Sequence, residues 1–123
     1  MPQTAAAHEA AAVLSKAVVR AAGQLDLKQV QLARLLGLSA ATASRLQSGA
    51  WQLPEDSKSF ELAAAFVRLY RSLAAITGGE SRAMCDWLHS GNDALGAVPA
   101  QRIQSAEGLF HVLMYVDAAR GRV

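Results

Sequence analysis

Aromatic residues make up only 6% of the 123-residue chain, and it contains a single cysteine, Cys85. The few aromatic and β-branched residues argue against an all-β fold, where such side chains fill a pleated surface. One cysteine excludes a disulfide scaffold and suits a reducing compartment. Long apolar runs are also missing. A stretch such as residues 62–67 is far short of the about 20 residues that cross a membrane. The start, Met1-Pro2-Gln3-Thr4-Ala5-Ala6-Ala7-His8-Glu9, has neither the basic nor the apolar region of a secretion signal. A soluble, cytoplasmic chain with no membrane partner is the expectation. An excess of charge is lacking too: 12 Lys+Arg stand against 10 Asp+Glu, a formal +2. That is too little to announce nucleic-acid binding by itself.

What is present is helix former. Hydrophobic residues reach 52%, and alanine, the strongest helix former, fills about a fifth of the positions. A chain of this length buries about two-thirds of its unfolded surface, so disorder is excluded. The charge is unevenly spread. The whole excess lies in residues 1–60, and no acid occurs between Lys28 and Arg45.

Apolar periodicity predicts a first helix over 8–23, stopped by Gly23. Short helices follow over 28–36 and 40–47, the second ended by Gly49. A loop spans Ala50-Trp51-Gln52-Leu53-Pro54, and Asp56 or Ser57 caps the next helix. That helix, 57–77, carries two stripes: Phe60, Ala63, Ala64, Val67, Tyr70 and Ala74, then Leu62, Phe66, Leu69, Leu73 and Ile76. A helix apolar on two sides is buried on two sides, against either another subunit or its own neighbours. After Gly78-Gly79, a helix over 80–90 turns Met84, Trp87 and Leu88 inward and ends at Gly91. Asn92 and Gly96 shape a turn, Pro99 starts a short helix, and Ser105 opens the last one with Leu109, Val112, Leu113 and Val116 inward. The expected division is 1–56 and 57–123.

Residues 31–46 meet the steric demands of a helix-turn-helix. Ala33 permits a close crossing, Gly37 supplies positive φ in the turn, and Leu32, Leu36, Leu38, Ala43 and Leu46 wedge the angle. Ser39 caps the second helix, leaving Ala40, Ala41, Thr42, Ser44 and Arg45 to face outward. The stretch resembles the Xre/phage-repressor helix-turn-helix proteins, down to Leu46-Gln47-Ser48-Gly49. The resemblance implies that Gln29 and the helix-start N–H groups meet phosphate, and that Ala40, Ala41, Ser44 and Arg45 face bases. Arg45 would take guanine; Lys28 and Thr42 would position the DNA backbone. An αα-hairpin without DNA uses the same glycine and leucines. A basic patch this thin calls for a dimer or larger complex on the operator.

Further on come Trp87-Leu88, Asn92, Ala94-Leu95-Gly96, Pro99, Glu107-Gly108, Val112, Tyr115, Asp117 and Arg120-Gly121-Arg122-Val123. In that order behind a helix-turn-helix, they resemble the antitoxins called Xre, MbcA or ParS. The resemblance implies an all-α fold and a partner toxin of the RES-domain class that degrades NAD or transfers ADP-ribose from it. It also implies obstruction of the toxin's NAD pocket by the C-terminal module and binding of promoter DNA; the doubled stripe on 57–77 and the thin basic patch point to a homodimer within a larger toxin–antitoxin complex. Candidate toxin contacts are Asn92, Glu107, Asp117, Arg120, Gly121, Arg122 and Val123. A terminal carboxylate at Val123 would suit a phosphate site. Alternatively, Arg120 and Arg122 would pair with pocket acids while Gly121 threads the cleft, or the tail is simply solvated. A helix-turn-helix regulator with no toxin partner is the competing reading, and a protein-binding inhibitor whose hairpin no longer reads DNA is a second one.

No catalytic residue, metal site or cofactor is expected. Cys85, Asp86 and His89 share a turn but lack an orienting third group. His8, His89 and His111 lack ligand spacing. Gly78-Gly79 lacks the Lys-Ser/Thr of a phosphate loop. Trp51 is expected to pack the hairpin onto the next helix, with a backbone contact to DNA as the other possibility.

Overall fold

A computed structural model describes residues 5–121 of the chain. Among these residues there are seven helices: α1 (Ala5–Gln24), α2 (Gln29–Leu36), α3 (Ala40–Ser48), α4 (Lys58–Thr77), α5 (Ser81–His89), α6 (Pro99–Arg102) and α7 (Ala106–Gly121). The all-α expectation holds. No helix among the described residues is long and apolar enough to cross a membrane.

Local chemistry sets most boundaries. Ser39 Oγ accepts the Thr42 N–H at the start of α3, and Ser57 Oγ accepts the Phe60 N–H at the start of α4. Gly37 (φ 68°) and Gly49 (φ 83°) close α2 and α3 in the left-handed region. After α2 the Leu38 N–H returns to the Ala33 carbonyl at 2.8 Å, so the helix end stays hydrogen-bonded through the turn.

Gly23 does not stop α1. The helix runs on to Gln24, and the left-handed residue is Asp26 (φ 55°), a type that tolerates this region. The reason is tertiary: the extra turn carries Leu25 and Leu27 into the core, where both are buried. Gly91 does not end α5 either. Ser90 terminates it with extended backbone, and Gly91 lacks a positive φ.

The core is one contiguous cluster running from Val18 on α1 to Val116 on α7, with Phe66, Leu69 and Leu73 of α4 fully buried. α4 packs most extensively on α7, then on α1, with α2 and α5 completing its surround. Both of its stripes are therefore covered within the chain, and neither requires another subunit. One member of the first stripe departs: Ala64 is exposed, and Ala65 is buried instead.

Behind α5 a tight loop is held by Asn92. Its backbone pairs with Ala97, and its Oδ1 accepts the Leu95 N–H at 3.1 Å. Gly96 takes φ 67° inside that loop, and Pro99 occupies the first turn of α6. α6 then meets α7 so closely that a Cβ on Gly108 would lie 1.8 Å from the Arg102 carbonyl oxygen. The glycine is a steric condition of that crossing.

Candidate DNA and protein interfaces

The α2–α3 hairpin is built from its buried side outward. Leu32, Ala33, Leu36, Ala43 and Leu46 are buried, and Leu38 is half-buried. Fixing these residues leaves Lys28, Gln29, Ala40, Ala41, Ser44 and Arg45 exposed and Thr42 half-buried. The structure thus places every expected DNA-facing residue on the hairpin's outer side. Lys28 precedes α2, and its N–H is held by Gln31 Oε1 at 2.8 Å. No acid stands in the first turn of α2 or α3, so the partial positive charge of each helix start is uncancelled.

Thr42 does more than present a hydroxyl. Its Oγ1 accepts from Ser39 Oγ at 3.0 Å and from Arg45 Nη2 at 3.1 Å. The guanidinium of Arg45 is thereby drawn along α3 toward the N-terminal end of the helix. Between α2 and the start of α3 lies a cleft of about 430 Å³, lined by Gln29, Val30, Ala33, Arg34, Leu38 and Ala40. Val30 is 51% exposed there, a large apolar side chain on the same surface that was not singled out from sequence. Its only signal was an apolar residue off the buried face of α2. Arg34, a cation of the acid-free run, instead reaches Gln104 Oε1 at 3.4 Å and links the hairpin to the C-terminal half.

The candidate partner residues of the C-terminal half do not converge. Asn92 is committed to its loop. Asp117 is held by Arg68 at 2.6 Å and accepts the Ser72 hydroxyl at 2.6 Å. Arg120 Nη1 donates to the same Ser72 Oγ at 3.3 Å. These contacts turn Asp117 and Arg120 toward α4, where they fasten α7 down. Glu107 points outward, its side chain 90% exposed and 3.9 Å from Arg102. Gly121 is exposed at the end of α7. Arg122 and Val123 lie outside the described residues.

Cys85 and His89 fasten α5 to the end of α1. The thiol donates to the Gln24 carbonyl at 3.0 Å, and His89 Nε2 donates to the Leu25 carbonyl at 2.7 Å. Tyr70 on α4 donates to Gln24 Oε1 at the same place. Burial, then the charges of Asp26 and Asp86, push the Cys85 thiol above its ordinary value. Both effects oppose a thiolate, so the chemistry there is that of an inert packing contact. Among the described residues no group of three His, Cys, Asp or Glu could hold a metal ion. Trp51 is half-buried and lines a groove of about 450 Å³ against α1, beside Lys16 and Arg20.

Residues 4–68 match the family model of the antitoxin Xre-like helix-turn-helix domain. Residues 72–122 match that of the antitoxin Xre/MbcA/ParS C-terminal toxin-binding domain. No curated protein matches the chain.

Proposed function

Because the chain belongs to the Xre-like helix-turn-helix antitoxins and carries their C-terminal toxin-binding domain, we propose that its toxin is a NAD-consuming RES-domain enzyme. The antitoxin blocks that enzyme by seating its C-terminal region over the active site, and it represses its own operon through α2 and α3. The two matches adjoining within α4 carry this reading. A DNA-facing hairpin and a toxin-binding segment are built on one core, so a single molecule presents both surfaces.

On DNA, α3 enters the major groove. Ala40, Ala41 and Ser44 touch base edges, and Arg45 takes guanine. Lys28 and the Gln29 end of α2 meet phosphate. Thr42 serves by holding Arg45, as its two hydrogen bonds support. The division of labour is 1–56 for DNA and 57–123 for the toxin. A homodimer, within a larger complex with the toxin, sets two recognition helices on half-sites about 34–36 Å apart. That arrangement compensates for the small positive charge of each copy. Both partners are cytoplasmic.

On the toxin side, Glu107 and the segment from Gly121 to Val123 are the contacts, while Asn92, Asp117 and Arg120 hold the scaffold that presents them. The test is growth under expression of the toxin encoded by the neighbouring reading frame. A chain lacking residues 121–123 keeps its fold and operator binding and no longer protects the cells. Full rescue by the shortened chain, with the toxin active, contradicts the occlusion.

A further inference from the structure

Helix α7 carries apolar side chains on two sides. Leu109, Val112, Leu113 and Val116 are buried against the core. The opposite face, at helical spacing, reads Glu107, Phe110, His111, Met114, Ala118 and Gly121. Phe110 is 44% and Met114 71% exposed. They stand one turn apart, with His111 beside them hydrogen-bonded to Arg102 at 3.3 Å. Among the described residues the other large exposed apolar side chains, Val13 and Val30, stand singly on α1 and α2. Scattered apolar residues are ordinary, whereas a paired aromatic and methionine at the centre of a helix face mark an interaction site.

We infer that this outward face of α7 is where the toxin docks, with Phe110 and Met114 as the central anchors. The inference rests on the toxin-binding reading above and names the face that performs it. Three observations select the toxin as occupant. The face lies wholly inside residues 72–122, which match a toxin-binding domain. Side-chain bulk falls along it from Phe110 and Met114 to Ala118 and Gly121, so a partner seated on the anchors approaches the backbone most closely where the chain leads into Arg122-Val123. That is the segment assigned to the active-site cleft. Size is the third. A 16-residue helix is about 24 Å long and about 10 Å wide, so one face covers on the order of 240 Å². A stable interface needs roughly 800 Å² per partner. Two copies paired through this stripe alone fall well short. A toxin that also takes the tail and the flank where Tyr115 stacks on Trp87, 6.5 Å between centroids, makes up the difference.

The test uses the full-length chain, the toxin from the neighbouring reading frame, and two variants at exposed positions. These are the double substitution Phe110→Ser with Met114→Lys, and Ala118→Trp alone. Toxin affinity is measured by calorimetry, self-association by sedimentation, and operator binding by gel shift. Losing a pair of central anchors weakens toxin binding by at least about 30-fold. Ala118→Trp weakens it through bulk, and melting temperature and operator binding stay at wild-type values. Wild-type toxin affinity in both variants overturns the inference while leaving the antitoxin reading intact. Loss of self-association with toxin affinity retained overturns it in favour of a second copy as occupant. A wild-type chain that binds no toxin removes the antitoxin reading itself, and this inference with it.

Discussion

At the scale of the residue, the functional surface is poor in long polar side chains, and this sets where its specificity lies. Ala40 and Ala41 offer only methyl groups to bases, Ser44 a short hydroxyl, and Arg45 the one reach long enough for a bidentate contact. Arg45→Ala is expected to cost about 1–3 kcal/mol and to relax preference at one base position. Thr42→Val leaves the guanidinium in place but unbound by Oγ1, so a smaller loss is expected, with the same base preference. Promoter titrations at several salt concentrations, with each base pair of the half-site varied, distinguish the two. An Arg45→Ala chain with unchanged preference at every position contradicts groove reading by that residue. The capping roles of Ser39 and Ser57 were legible in sequence because cap chemistry is local. The roles of Asp117 and Arg120 were not. Their partners, Arg68 and Ser72, lie on α4, and only packing brings them together.

At the scale of the element, α4 and α7 carry the same signature in sequence, apolar residues on two sides, and meet opposite ends. α4 is wrapped by α1 and α7, whereas α7 keeps Phe110 and Met114 outward. Periodicity identifies both helices and cannot say which second face is covered, because that depends on topology. The same limit explains the helix ends. Ser39, Ser57, Gly37 and Gly49 were legible because each acts on its own backbone. Gly23 misled because burial of Leu25 and Leu27 carries α1 past it. Gly108 is a close-approach residue whose partner, the Arg102 carbonyl, is set by the crossing of α6 and α7. A methyl group at 1.8 Å from that oxygen must drive α6 from α7, so Gly108→Ala is expected to destabilise by about 3 kcal/mol or more. Urea denaturation followed by circular dichroism measures this. A change under about 1 kcal/mol would mean that the crossing relaxes freely.

At the scale of the molecule, one core joins the two surfaces. Tyr70, Cys85 and His89 converge on the Gln24–Leu25 end of α1, and Arg34 reaches across to Gln104. The α2–α3 hairpin and the α7 face are therefore held in fixed relation. The +2 charge and the wealth of alanine reported little about partners by themselves. Their distribution reported more, with the excess cations in the half that matches the helix-turn-helix and a charge-balanced, apolar half that matches the toxin-binding domain. The most direct test of the account is a titration of NAD consumption by the proposed RES-domain toxin against this chain. Consumption is predicted to fall to zero at a fixed molar ratio, and to persist when residues 121–123 are removed. NAD consumption that continues undiminished in a fully formed complex would contradict it.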